Sequence, residues 1–102
     1  MKAMSARQHK VATELQHQVA MALLQGRVHS TLPLSRLNVV NAWISADLRS
    51  ARIFLATPAE LSTPEVFAHI NAEIAKPLRH YLASQLALKN IPALAFFPET
   101  DQ

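Results

Sequence analysis

Cysteine is absent from these 102 residues, and glycine occurs once. Without cysteine there are no disulfides and no thiolate zinc sites, so the fold must stand on packing alone, and the cytoplasm is the expected compartment. With one glycine there is no phosphate-cradling glycine loop. No run approaches the ~18 uncharged apolar residues of a membrane span. None of signal-peptide length follows the basic residues Lys2, Arg7, His9 and Lys10, so a soluble chain that keeps its amino terminus is expected. Acids are scarce in the first half, where Glu14 and Asp47 face Lys2, Arg7, Lys10, Arg27, Arg36, Arg49 and Arg52. The net charge of +3 and pI near 9.8 suit an anionic partner without demanding one. Half the residues are hydrophobic and 17% are charged, enough apolar surface to offset chain entropy in one domain spanning residues 1–102.

Ser5-Ala6-Arg7-Gln8 forms a capping box, so a helix is expected from about Ala6. Val11, Leu15, Val19, Ala22 and Leu23 share its apolar face, while Lys10, Glu14 and His17 fall on another. Gly26 lies just beyond, where a left-handed residue ends a helix at least cost, so the helix stops near Gln25. After a connection containing Pro33, alternation places Val40, Ala42 and Ile44 on one strand face and Val39, Asn41 and Trp43 on the other. A second strand adds Ala51, Ile53 and Leu55 to the first set, with Arg52 and Phe54 opposite. A slip of one residue would exchange the faces.

Thr63-Pro64-Glu65 supplies the cap, first-turn proline and acid of a second helix start, with Phe67, Ile70 and Ile74 as its buried stripe. Pro77 interrupts a pattern that otherwise runs to Leu88, so two helices are expected to meet at a kink, with Leu78, Leu82 and Leu86 continuing the apolar face. Ile91-Pro92 opens a last strand, Ala93 to Phe97, closed by Pro98. Helix, strand, strand, helix, helix, strand implies an α+β fold, with helices covering one face of a three-stranded sheet.

The hairpin from Trp43 to Leu55 holds Ser45-Ala46-Asp47-Leu48-Arg49-Ser50-Ala51. It resembles the central hairpin of the ribosome-binding factor A family, Ser-x-Asp-Leu-x-x-Ala followed by a β-branched and aromatic run. The similarity spans nearly the whole chain, from Lys10-Val11-Ala12 through Arg79 to Leu88-Lys89-x-Ile91-Pro92-x-Leu94-x-Phe96. No single motif is strong; order and spacing carry the resemblance. It implies a KH-like fold of the prokaryotic type II order. It also implies a non-enzymatic, monomeric ribosome assembly factor without cofactor or small-molecule substrate. Such a factor binds the immature small ribosomal subunit and assists maturation of its rRNA. Two departures stand out. The family's Ala-x-Gly kink, a relative of the Gly-x-x-Gly loop of KH domains, is replaced by Ile74-Ala75-Lys76, which exchanges a bare backbone for a charge. Ser30-Thr31-Leu32-Pro33 stands where the family has Asp-Pro-Arg-Leu.

The residues themselves offer little catalytic chemistry. There is no nucleophile elbow and no pair of acids spaced for general acid–base work. His69 and Glu73, four apart, could ligate a metal, but no third ligand is indicated and no metal site is expected. Nucleic acid suits the basic residues better. Arg7 and Lys10 flank a helix start, Lys76, Arg79 and His80 gather at the kink, and Arg49 and Arg52 lie on the hairpin. The outward sheet face carries Trp43, Phe54 and Phe97 beside Arg52, and three uses are open. The aromatics could cover one another as cross-strand pairs, receive a protein partner, or stack unpaired bases. A competing function is therefore a divergent KH-like protein-interaction module that uses this aromatic face.

Overall fold

The structure, a computed structural model, describes residues 3–102, so Lys2 of the basic amino-terminal group lies outside the described residues. The first helix, α1 (Ala6–Leu24), begins with both halves of the capping box: the Gln8 amide donates to Ser5 Oγ at 3.2 Å, and the Ser5 amide to Gln8 Oε1 at 2.8 Å. Gln8 Nε2 also donates to the Ile44 carbonyl at 2.8 Å, tying the helix start to the sheet. Gly26 ends α1 with φ +67°, and the Arg27 amide reaches back to the Ala22 carbonyl at 3.0 Å, the hydrogen bond that closes a left-handed helix ending.

Strands β1 (Asn38–Ile44) and β2 (Ser50–Ala56) pair antiparallel, and β2 pairs parallel with β3 (Ala93–Pro98), giving the order β1-β2-β3. A parallel pair needs a long crossover. Here it is α2 (Pro64–His69), a π-turn (Ile70–Ile74) and α3 (Ala75–Leu82). Thr63 caps α2 by accepting from the Val66 amide at 3.2 Å. Ala42, Ile44, Ala51, Ile53, Leu55 and Phe96 face the helices and form one core with Leu15, Val19, Ile70, Ile74, Leu78 and Leu82. This is the expected register, and the chain has the KH-like order α-β-β-α-α-β.

Three expectations change. A β-bulge between Val39 and Asn41 inserts Val40 as an unpaired residue, so Val40 is 38% exposed and Val39 packs against the core instead. The bulge reverses the facing of everything before it. Second, α2 and α3 are joined by a π-turn in which the Ala75 amide donates to the Ile70 carbonyl, so the irregularity lies ahead of Pro77 and not at it. Ile70, Ile74, Leu78 and Leu82 are all buried at steps of four. Because an α-helix turns every 3.6 residues, such a stripe drifts by about 40° per step. The wider turn absorbs drift just ahead of Pro77, whose ring would crowd the Glu73 carbonyl. Third, the helix ends at Leu82, and Leu86 reaches the core from a following turn.

Both sheet edges are occupied by side chains. Asn71, in the π-turn, donates through Nδ2 to the Phe96 carbonyl at 3.0 Å and accepts the Phe96 amide on Oδ1 at 2.7 Å, while Nδ2 also donates to the Phe67 carbonyl at 3.0 Å. Phe96 therefore turns its backbone groups away from β2. Two residues on, Pro98 turns the same way and has no N–H to offer. On the β1 edge, Ala42 N–H is taken by Asn41 Oδ1 and Ile44 N–H by Met4 Sδ.

Asn71→Ala leaves the Phe96 amide and carbonyl unpaired at the open edge and should destabilise the fold by about 1–3 kcal/mol. Urea unfolding followed by Trp43 fluorescence measures it; a loss below about 0.5 kcal/mol would mean water replaces the side chain at no cost.

Candidate nucleic-acid interface

The turn between β1 and β2 is built on Ser45 and Asp47. Ser45 Oγ donates to Asp47 Oδ1 at 2.6 Å and accepts the Ser50 amide at 3.0 Å, while the Arg49 amide donates to Asp47 Oδ1 at 3.0 Å. These bonds hold Leu48 at φ +61°, a conformation a bulky side chain rarely adopts, with its side chain packed on the core. The Ser45 hydroxyl, and after it the Arg49 amide, hold the Asp47 carboxyl below the usual carboxylate range.

The same end of the sheet collects the start of α1, through Gln8 and Ile44, and the approach to β3. The Ala93 amide donates to the Arg49 carbonyl at 2.9 Å. Arg79, from α3, donates through Nε and Nη2 to the Ile91 carbonyl at 3.0 and 2.8 Å, and through Nε to the Pro92 carbonyl at 3.2 Å. Arg79 is thus partly committed to holding the chain that enters β3. Beside it, Lys76, His80 and Lys89 line a groove of about 390 Å³ that contains no acid. A second groove, of about 690 Å³, runs between His9, Lys10 and Val11 of α1 and the turn at Leu86–Leu88; its acid, Glu14, accepts from Gln18 at 3.2 Å. The two grooves share Leu88. Lys10 borders one of these grooves and Lys76, Arg79 and His80 the other, with Leu88 between them, and exposed Arg7 and Arg49 lie outside the groove linings. Lys89 belongs to the set as well. In the sequence it stands out only as one position of the closing motif.

Arg52 is separate from this group. It lies on the outward face, its guanidinium 5.3 Å from the Trp43 ring centre and 5.9 Å from that of Phe97. Phe54 is 2% exposed, with the Phe97 ring centre 6.0 Å away and the turn Glu99–Asp101 packed against β2. Gln102 accepts from Asn41 Nδ2 at 2.8 Å and fastens that turn across the sheet. The Trp43 indole Nε1 is closed to solvent and has no hydrogen-bond partner.

A family model described as ribosome-binding factor A matches residues 7–101. The chain belongs to the ribosome-binding factor A family. Among solved structures it resembles the crystal structure of ribosome-binding factor A from Thermus thermophilus, with TM-score 0.71 and 18% identity over 91% of this chain and 97% of that one. The solution structure of a Thermotoga maritima protein described as a ribosome-binding factor A candidate gives TM-score 0.67 and 21% identity over 95% and 91%. A homology model of the Thermus thermophilus factor, fitted into an electron cryomicroscopy map of its 30S complex, gives 0.60 and 17% over 86% and 94%. No curated protein matches. In this member of the family the segment Ile74-Ala75-Lys76 passes from the π-turn straight into α3, so Lys76 projects from helix and not from an open loop.

Because folding depresses the Asp47 pKa, its contribution to stability is complete above the unfolded carboxylate's value and is lost as pH falls through the folded one. The stability difference between wild type and Asp47→Asn should therefore be constant above about pH 5 and shrink below about pH 4. A difference that stays flat down to about pH 2.5, below the ordinary carboxylate range, would show the turn is indifferent to this charge.

Arg79→Ala breaks the hold on Ile91 and Pro92 and should cost about 1 kcal/mol, whereas exposed Lys76→Ala should stay within about 0.5 kcal/mol. Thermal midpoints separate the two by several degrees; equal midpoints would remove the structural role of Arg79.

Proposed function

We propose that this protein is a ribosome assembly factor that binds the immature small ribosomal subunit and assists maturation of small-subunit rRNA, laying its hairpin end on the RNA. Family membership supports the ribosomal role. The T. thermophilus relative fitted to a 30S complex supports the small subunit as partner. The observation that carries the RNA reading is the pair of grooves at this end, where Lys10, Lys76, Arg79, His80 and Lys89 gather on either side of Leu88 against a single acid, Glu14. A phosphate track crossing it would release counterions wherever a cation meets it. Arg7 and Arg49 extend the positive field on either side. Arg52 contributes from the outward face, held against Trp43 and Phe97.

The role needs no reaction centre. Among the described residues no three His, Asp or Glu side chains form a group able to hold a metal ion, and no helix is long and apolar enough to cross a membrane. We read the protein as a non-enzymatic monomer. A second reading, protein contact through the outward aromatic face, rests on Trp43 and Phe97, which stay half-buried there on either side of the Arg52 guanidinium.

The protein should sediment with free small subunits and not with large ones, and retention should weaken steeply with salt. Lys76→Ala combined with Lys89→Ala should lower the log–log salt slope by about 0.7–0.9 for each phosphate no longer neutralised, with an unchanged thermal midpoint. Equal retention on both subunits would leave only generic cation binding, and a salt-insensitive complex would favour the protein-contact reading.

A further inference from the structure

At the far end of β3 the chain presents the opposite electrostatics. A groove of about 590 Å³ lies between α2 and the end of β3, walled by Pro64, Ala68, Phe97 and Pro98 and closed by Glu99 and Asp101. No cation lines it. Among the described residues the one ion pair within 4.0 Å joins Arg36 to Glu60, so neither closing carboxylate is ion-paired with a described residue. Arg52 shares a neighbouring hollow with Asp101 on the outward face, but no ion pair joins them.

An apolar wall that ends in carboxylates matches one kind of side chain. Lys and Arg carry a long aliphatic stem beneath a charged head, and they bury the stem while keeping the head at a polar boundary. We propose that this groove is a docking slot for a Lys- or Arg-rich polypeptide segment, with the stem against Ala68, Phe97 and Pro98 and the head at Glu99 and Asp101. Thr57, Ser62 and Thr63 line the rest of the groove, with their hydroxyls engaged inside the chain, Thr57 with Ser62 and Thr63 with the Val66 amide. RNA does not fit: two free carboxylates and no cation repel a phosphate chain. The first turn of α2 would otherwise attract an anion, but it already carries Glu65.

The slot and the RNA surface sit at opposite ends of one six-residue strand, roughly 16 Å apart. A protein laid on RNA by the start of β3 therefore offers the slot to a neighbouring cationic polypeptide. The inference goes beyond the RNA reading and does not depend on it, since the slot's chemistry is its own.

The test is an amide NMR titration of the full chain with a short synthetic peptide alternating Arg and Leu, its counterpart with Glu for Arg, and a single-stranded RNA oligomer. The Arg peptide should shift the amides of Ala68, Phe97, Glu99 and Asp101, and the Glu peptide should not. The double variant Glu99→Lys, Asp101→Lys should weaken the Arg peptide by at least about tenfold, through like-charge repulsion. Ala68 is exposed, so Ala68→Trp should fold normally and abolish binding by filling the slot. Equal response to both peptides overturns the proposal, as do shifts centred on Lys76 to Lys89 or on Trp43, or RNA binding at the slot. Loss of RNA binding at the hairpin end alone would defeat the RNA reading and leave the slot standing.

Discussion

The two hydrogen bonds between Asn71 and the backbone of Phe96 fix the one strand that everything functional is measured from. β3 has a strand neighbour on only one side, and nothing in a parallel pair sets how far the crossover helices stand from the sheet edge. Asn71 sets it, because it also holds the Phe67 carbonyl within its own helical segment. The π-turn is what aims it there: the wide turn brings Asn71 to the edge while Ile70 and Ile74 remain in the core. With β3 fixed at Phe96, its entrance meets Arg79 and the hairpin, and its exit carries Glu99 and Asp101 against α2. One strand thus separates a cationic surface from an anionic one.

That separation matters because the overall charge is small. A net +3 spread evenly would bind polyanions weakly and without orientation. Lys10, Lys76, Arg79, His80 and Lys89 border grooves that hold one acid, Glu14, while Glu99 and Asp101 close a groove without a cation, so the charge is distributed unevenly. The Arg36–Glu60 pair, both partners exposed, adds little to stability. It does cancel a cation outside the basic end.

Much of the architecture is legible in the sequence because it is written in local chemistry. Ser5 and Gln8, Gly26, and Thr63 with Pro64 mark helix boundaries by residue type, and alternation from Ala42 onward gives the sheet register. The missed features are those local chemistry leaves undecided. Val39 and Val40 are both β-branched, so alternation cannot say which is the extra residue. The π-turn leaves its trace only in the steps of four from Ile70 to Leu82, which resemble an ordinary helical stripe until the accumulated drift is counted. Leu48 occupies a conformation for which glycine or asparagine would be the usual sign, and the true signal is the pair Ser45 and Asp47 around it. At the basic end, the clustering of Lys76, Arg79 and His80 around Pro77 is readable. The hold of Arg79 on Ile91 and Pro92 is not, because its acceptors are backbone atoms twelve and thirteen residues away. Lys89 is hidden for a related reason: it lies in a turn that only the early end of α3 brings back beside Lys76.

The guarded edges of the sheet bear on how the protein behaves in a crowd. An open three-stranded sheet leaves two rows of backbone groups free to template a strand from a second molecule. Here Asn71 and Pro98 interrupt one row, and Met4, Gln8, Asn41 and the bulge at Val40 interrupt the other. Copies pressed together, as on a particle with many vacant sites, would meet through side chains and not by strand addition. Their self-association should therefore be reversible and governed by charge.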